Sequence, residues 1–170
     1  AFGWSNQVVS TAITVGSIVG VIAVPFWAAM NKKSGAKLTC MIGMIGNAVA
    51  AVIFGFAPSL ATMYIHIILG SFCVIAYSQI GVAQFAADWF PHTKGMFMGM
   101  ATMGLTLNGA TYTLAISNMV PKLGLSTAMI IVAVAQVIVG ILLMVCAKNT
   151  PEEAGAWPDN DKSVTREQLM

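Results

Sequence analysis

From Leu38 to Ala87 the chain carries no charged residue at all. A second neutral run extends from Gly95 to Pro121, and a third from Leu123 to Ala147. Soluble domains do not tolerate such stretches, because a water-facing surface needs charge. Charged residues make up 8% of this chain, against about 25% in soluble proteins. Hydrophobic residues make up 58%, which excludes a disordered chain. A net charge of +2 is too small for a nucleic-acid footprint. The chain is therefore read as an all-α membrane protein with the lipid bilayer as its principal partner and no nucleic acid.

A helix needs about 20 apolar residues to cross the hydrocarbon core. The first neutral run is too long for one crossing and divides at Ala57-Pro58-Ser59, where proline ends one helix and opens the next. Five spans are predicted, about Gln7–Met30, Leu38–Phe56, Leu60–Ala87, Gly95–Met119 and Leu125–Ala147. Residues 1–148 form the bundle, and residues 149–170 a polar tail or linker, flexible or partly helical near Ser163–Met170. Backbone amides in lipid must be bonded internally, which leaves helices, and the alternation of a membrane barrel is absent.

Five crossings put successive loops on opposite sides. Lys32, Lys33, Lys37, Lys94 and Lys148 then share one side, and only Lys122 lies on the other. The positive-inside rule makes the lysine-rich side cytoplasmic, with the N-terminus outside and the tail inside. A polar start without initiator methionine or signal segment predicts a preceding helix.

The helix faces carry the functional argument. Gln7, Ser10, Thr11 and Thr14 share one face of the first span. His66, Gly70, Cys73, Tyr77, Gly81 and Gln84 form a stripe on the third, read as the wall of a water-filled path, since bulky polar groups are costly in lipid. On the fourth, Gly95, Gly99, Thr102, Thr106, Gly109 and Thr113 form a small-residue face, read as helix packing. Asn108 and Tyr112 form a second, more polar face there. The second and fifth spans offer only Asn47 and Gln136. Thr14, His66, Tyr77, Asn108 and Tyr112 are the predicted solute-lining residues. Asn and Tyr can hydrogen-bond a carboxylate, and a protonated His66 adds charge or carries a proton.

No catalytic constellation occurs: there is no Gly-x-Ser-x-Gly elbow, no His-Glu-x-x-His, no phosphate loop and no paired intramembrane carboxylates. Neither enzyme activity nor a cofactor is expected. Cys40, Cys73 and Cys146 lack CxxC spacing and are read as reduced, buried residues.

The loops are more specific. Ala28–Lys37 (AAMNKKSGAK) resembles the Gly-x-x-x-Asp-Arg-x-Gly-x-Arg signature of the major facilitator superfamily, with Gly35, Lys33 and Lys37 in matching places. The aspartate is missing, with Asn31 or Lys32 in its place. His66-Ile-Ile-Leu-Gly70 resembles the family's Arg-x-x-x-Gly, with His66 for the arginine tied to proton coupling. Ala87-Asp-Trp-Phe-Pro91 with Lys94-Gly95 and Gly99, then Pro151-Glu-Glu-Ala-Gly155 and Trp157-Pro-Asp159, resemble turns of oxalate/formate antiporter-like and monocarboxylate members. Phe2-Gly-Trp-Ser5 fits the entry into helix two.

The resemblance implies helices two to six of a facilitator of this type. Helix one and the C-terminal half would be its missing partners. It further implies an integral, multi-pass protein of a bacterial cytoplasmic membrane. It would move a small solute, an organic anion with or without protons, by alternating access. Asn31, Lys32, Lys33, Gly35 and Lys37 would form a conformational-switch loop. The rival readings are a non-transporting interaction subunit and an inactive truncated transporter.

Overall fold

A computed structural model describes residues 4–161. Five helices carry nearly all of them: α1 Asn6–Phe56, α2 Leu60–Ile75, α3 Val82–Trp89, α4 Lys94–Leu123 and α5 Leu125–Cys146. A π-helical segment, Ala76–Gly81, joins α2 and α3 into one rod.

The 51 residues of α1 would make a straight helix of about 75 Å, over twice the hydrocarbon thickness. They do not run straight. Gly35 has φ 77° and ψ 164°, outside helical space and in a region that side chains disfavour. The buried Thr39 donates its hydroxyl to the Gly35 carbonyl at 2.9 Å and ties down the turn. On either side the chain reverses. In residues 6–34, Trp27 donates its indole N–H to the Phe72 carbonyl (2.7 Å) and Asn31 its amide to Gln84 (3.2 Å), so this arm runs parallel to the α2–α3 rod. In residues 36–56, Gly43 lies against Cys73 and Ala76 while Phe54 stacks on His66, so that arm runs antiparallel. Trp4 meets Phe54 at 6.4 Å and closes the hairpin.

The expected separation of the first two spans by a loop over residues 31–37 is corrected accordingly. Helix persists to Ser34, and one glycine makes the turn. Helix likewise runs through Pro121, and Gly124 at φ 81° makes the turn into α5. The break at Ala57–Ser59 is as expected, with Ser59 and Thr62 forming a capping box. Three helical stretches, Asn6–Phe56, Leu60–Trp89 and Leu125–Cys146, are long and apolar enough to cross a membrane. The glycines, hydroxyls and amides of α4 leave it less apolar.

Burial is inverted relative to a soluble protein. Most buried apolar residues are alanines, such as Ala12, Ala23, Ala50 and Ala76, while Val21 and Val145 stay over 70% exposed. Small residues bring backbones together, and large aliphatic ones face outward, as lipid permits. Cys40 and Cys73 are buried free thiols. Cys146, expected to be buried, is exposed at the end of α5.

The two stripes differ in what surrounds them. The α2–α3 stripe is mostly a packing seam: Gly70 approaches Asn47, Cys73 faces Gly46, and Gly81 faces Cys40. On the small-residue face of α4, expected to pack, nothing among the described residues lies within 4 Å of a Cβ placed at Gly95, Gly99 or Gly109.

At Gly43 a Cβ would lie 2.5 Å from the Ala76 Cβ and 2.8 Å from the Cys73 carbonyl oxygen. Gly43→Val is therefore expected to destabilise the bundle by about 1–3 kcal/mol, the ordinary cost of overpacking. Gly104→Val, facing open space, is expected to leave stability nearly unchanged. Thermal unfolding of the purified protein in detergent reads both, and equal midpoints for the two variants would contradict the seam.

Candidate functional site

One end of the bundle gathers the polar loops. Lys32 and Lys94 line a single cavity of about 610 Å³ together with Asn31, Gln84, Asp88 and Asn149. Asn31 is 8% exposed, and its amide begins a relay in which Gln84 in turn donates to Asp88 at 2.8 Å. The Lys37 amide donates to Asn149 Oδ1 (3.0 Å), and the Trp89 indole donates to the Lys148 carbonyl (3.2 Å). Lys33 is exposed.

The tail, expected to be flexible, folds back onto this end as far as Asp161. Pro151 is fully buried, and two short 3-10 turns, Glu152–Ala154 and Pro158–Asn160, follow. Asp159 accepts from the His92 amide and from the Thr93 hydroxyl, both at 2.8 Å. Thr93 is the N-cap of α4 and makes no cap bond of its own, so a residue of the tail serves the start of that helix. The expectation for Ser163–Met170 lies outside the described residues, as does that for Phe2 and Gly3.

A second cavity, of about 380 Å³, lies near the middle of the helices. Three of the five predicted solute-lining residues meet there: Tyr77 from the π segment, and Asn108 and Tyr112 from one face of α4. Met44 of α1 and Val132, Ala135, Gln136 and Val139 of α5 complete the wall. The α5 residues recur at helical spacing, so one stripe of that helix faces the cavity.

Tyr77 owes its position to two local features. A π turn inserts an extra residue per turn and redirects the side chains that follow; such turns recur at functional sites. Gly43 leaves room for the tyrosine ring, and Asn47, one turn further along α1, donates its amide to the Tyr77 hydroxyl at 3.0 Å. The hydroxyl oxygen is thus engaged as acceptor, and its own proton remains available to a bound molecule. Gln136 is held differently. Its Oε1 is buried and has no hydrogen-bond partner.

Thr14 and His66 lie elsewhere. Thr14 is exposed on the first arm of α1 and donates to the Ser10 carbonyl at 3.0 Å. His66 stacks on Phe54 with ring centroids 5.5 Å apart, hydrogen-bonds the backbone of Ala50, and keeps Nδ1 buried without a partner. Sequence reasoning passed over Met44 and Gln136. For Gln136 the signal was present, since a lone amide in an otherwise apolar span is costly unless it has a task. Among the described residues, no three His, Cys, Asp or Glu side chains gather as a metal ion would require.

A family model described as Major Facilitator Superfamily matches residues 1–167. Among curated proteins, the major facilitator superfamily multidrug transporter mfsB of Aspergillus fumigatus is 39% identical over 59 residues, 35% of this chain. The match spans 9% of that relative's length. No solved structure matches the chain.

The slight burial of Asp159 would raise its carboxyl, but hydrogen bonds from His92 and Thr93 and the nearby His92 ring outweigh it and hold the group below the ordinary value. A depressed folded-state value means the clasp contributes stability above the unfolded value and loses it as pH falls through the folded one. The His92 amide resonance is therefore expected to titrate with a midpoint below 3.8, and Asp159→Asn to abolish that titration.

Proposed function

The chain belongs to the major facilitator superfamily, and from that premise we propose that it forms part of a secondary transporter moving a small solute across a membrane by alternating access. The observation that carries this reading is the meeting of Tyr77, Asn108 and Tyr112 around one cavity in the middle of the bundle. Transporters of this architecture bind solute near the bilayer midplane, where helices of two halves face each other. In this reading the cavity is one wall of the solute path. The rest of the path belongs to residues outside this chain.

Five crossings follow from the same reading, two of them the arms of α1. The end that holds Lys32, Lys33, Lys37, Lys94 and Lys148 faces the cytoplasm, as the positive-inside rule requires. The loop from Asn31 to Lys37 is then the conformational switch, bonded on one side to Gln84 and on the other to Asn149. In the same reading His66, away from the cavity, takes part in proton coupling through its unpaired Nδ1.

An organic anion is the second reading. The Ala87–Pro91 and Pro151–Gly155 motifs favour it, through their resemblance to oxalate/formate antiporter-like carriers. Among the described residues, the cavity wall holds no Lys, Arg or His to meet a negative charge. An anion would take its counter-charge from residues beyond this chain.

Orientation is tested with a membrane-impermeant thiol reagent. Lys32→Cys and Lys94→Cys are both expected to react from the cytoplasmic face alone, against a background lacking the native cysteines. Reaction from opposite faces would end the topology. The solute path is tested by uptake into proteoliposomes of the intact protein. Asn108→Ala and Tyr112→Phe are each expected to raise KM about tenfold, the effect of one lost hydrogen bond of about 1.4 kcal/mol. Thr14→Ala, outside the lining of the cavity, is expected to leave KM unchanged, and three identical KM values would remove the cavity from the path.

A further inference from the structure

The two helices that touch through glycines also exchange polar groups through them. Gly43 and Asn47 stand one turn apart on the second arm of α1, and Gly70 and Tyr77 stand about two turns apart on the α2–α3 rod. A Cβ at Gly43 would lie 3.3 Å from Tyr77 Cδ1, and a Cβ at Gly70 would lie 3.0 Å from Asn47 Oδ1. Each helix therefore leaves out a side chain where the other inserts a polar one. The Asn47 amide closes the pair by donating to the Tyr77 hydroxyl at 3.0 Å.

The direction of that bond has a chemical consequence. A phenol carries one O–H donor and lone pairs that accept. Asn47 supplies an N–H, so the Tyr77 oxygen accepts there and its proton points elsewhere. Asn47 is absent from the wall of the mid-bundle cavity, whereas Tyr77 belongs to it, with Asn108 and Tyr112. The phenols of Tyr77 and Tyr112 are near enough to interact electrostatically, so the two hydroxyls share one neighbourhood. A carboxamide within a span is costly unless it is engaged. Asn47 directs its donor across the helix contact, to a residue that lines the cavity.

Resting on the solute-path reading above, we infer that Asn47 is a positioning residue: by donating to the Tyr77 oxygen it turns the Tyr77 proton to the cavity, and the solute group that meets Tyr77 is a hydrogen-bond acceptor. Asn47 acts through Tyr77 and touches no solute. Tyr77 then recognises a lone pair on oxygen or nitrogen, and the role places no demand on the solute's charge. A binding group held in this way by a second residue meets its ligand without first being ordered. Without Asn47 the phenol rotates between donating and accepting, and recognition weakens while the fold persists.

The test reads Tyr77 itself, by Raman spectroscopy of the intact protein in lipid nanodiscs. In the tyrosine Fermi doublet the higher-frequency component dominates when the phenol oxygen accepts and weakens when the hydroxyl donates. Subtracting the spectrum of Tyr77→Phe, in each background, isolates Tyr77 from Tyr64 and Tyr112. The wild type is expected to show the acceptor doublet, and N,N-dimethylacetamide, which has a carbonyl acceptor and no donor, is expected to shift it towards donation. Asn47→Leu, which keeps the volume and removes the amide, is expected to lose the acceptor doublet and to bind dimethylacetamide about fivefold more weakly, the effect of one rotor left unfixed. A retained thermal midpoint shows that variant to be folded, and Asn47→Ala takes its place where the leucine does not fold. A wild type without the acceptor doublet, a doublet that survives the loss of Asn47, or a Tyr77 that dimethylacetamide leaves unshifted overturns the inference. If Tyr77 responds as expected while Asn108→Ala and Tyr112→Phe bind dimethylacetamide with wild-type affinity, the role of Asn47 stands and the cavity reading fails.

Discussion

The close approach of residues 36–56 to the α2–α3 rod is the contact on which the rest of the molecule depends. It is made by absent side chains. Where Gly43 meets Ala76, no Cβ fits, and the two backbones come together over Cys73. Membrane helices gain nothing by hiding apolar groups from lipid that is equally apolar, so their association rests on dispersion and on backbone proximity. That explains a core made mostly of alanine and a periphery of valine, isoleucine and leucine. It also explains Tyr77. The ring occupies the space beside Gly43, and Asn47 reaches its hydroxyl because the helices are so near.

A second constraint acts at the lysine end. Gly35 reverses the chain within one residue, and the groups around that reversal are tied to distant parts of the sequence. Asn31 bonds Gln84, and Lys37 bonds Asn149, while Asp159 bonds His92 and Thr93. The bonds join the first turn, the α3–α4 turn and the tail. Each is a hydrogen bond at or near a helix end, where backbone groups lack intrahelical partners. The tail is held by these bonds and by two buried prolines, Pro151 and Pro158, without a long helix of its own.

The all-helical character of the chain was legible in the sequence because lipid imposes one rule, the exclusion of charge, and the neutral runs record it directly. The break at Pro58 followed from the proline, which ends one helix and opens the next, and the meeting of Lys32 and Lys94 at one cavity from the alternation of the loops. The reversal at Gly35 was placed but drawn too wide, since a run containing Lys32 and Lys33 reads as loop, although lysines extend comfortably from the last turn of a helix. The stripes were misjudged for a different reason. Angular sorting shows which residues share a face but not which neighbour that face meets. The α2–α3 stripe meets α1, and the glycine positions of the α4 face have open space beside them among the described residues. Tyr77, Asn108 and Tyr112 were recoverable because each is a polar side chain of some bulk in an apolar helix. Met44 was not, since a methionine in a membrane span carries no signal.

The polar chemistry of the chain thus separates into two layers along the bundle. Lys32, Asp88 and Lys94 line the cavity at the lysine end, and the polar groups described around the mid-bundle cavity are phenols and carboxamides. The two layers share one element. Tyr77, in the π segment, and Gln84, in α3, stand about two turns apart on the same rod. Tyr77 borders the mid-bundle cavity, and Gln84 joins the relay from Asn31 to Asp88. A π turn is a helix defect whose extra residue can be absorbed or displaced at modest cost, and this one lies between the two layers. The rod thus joins the cavity to the relay from Asn31 to Asp88 without a break in helical hydrogen bonding.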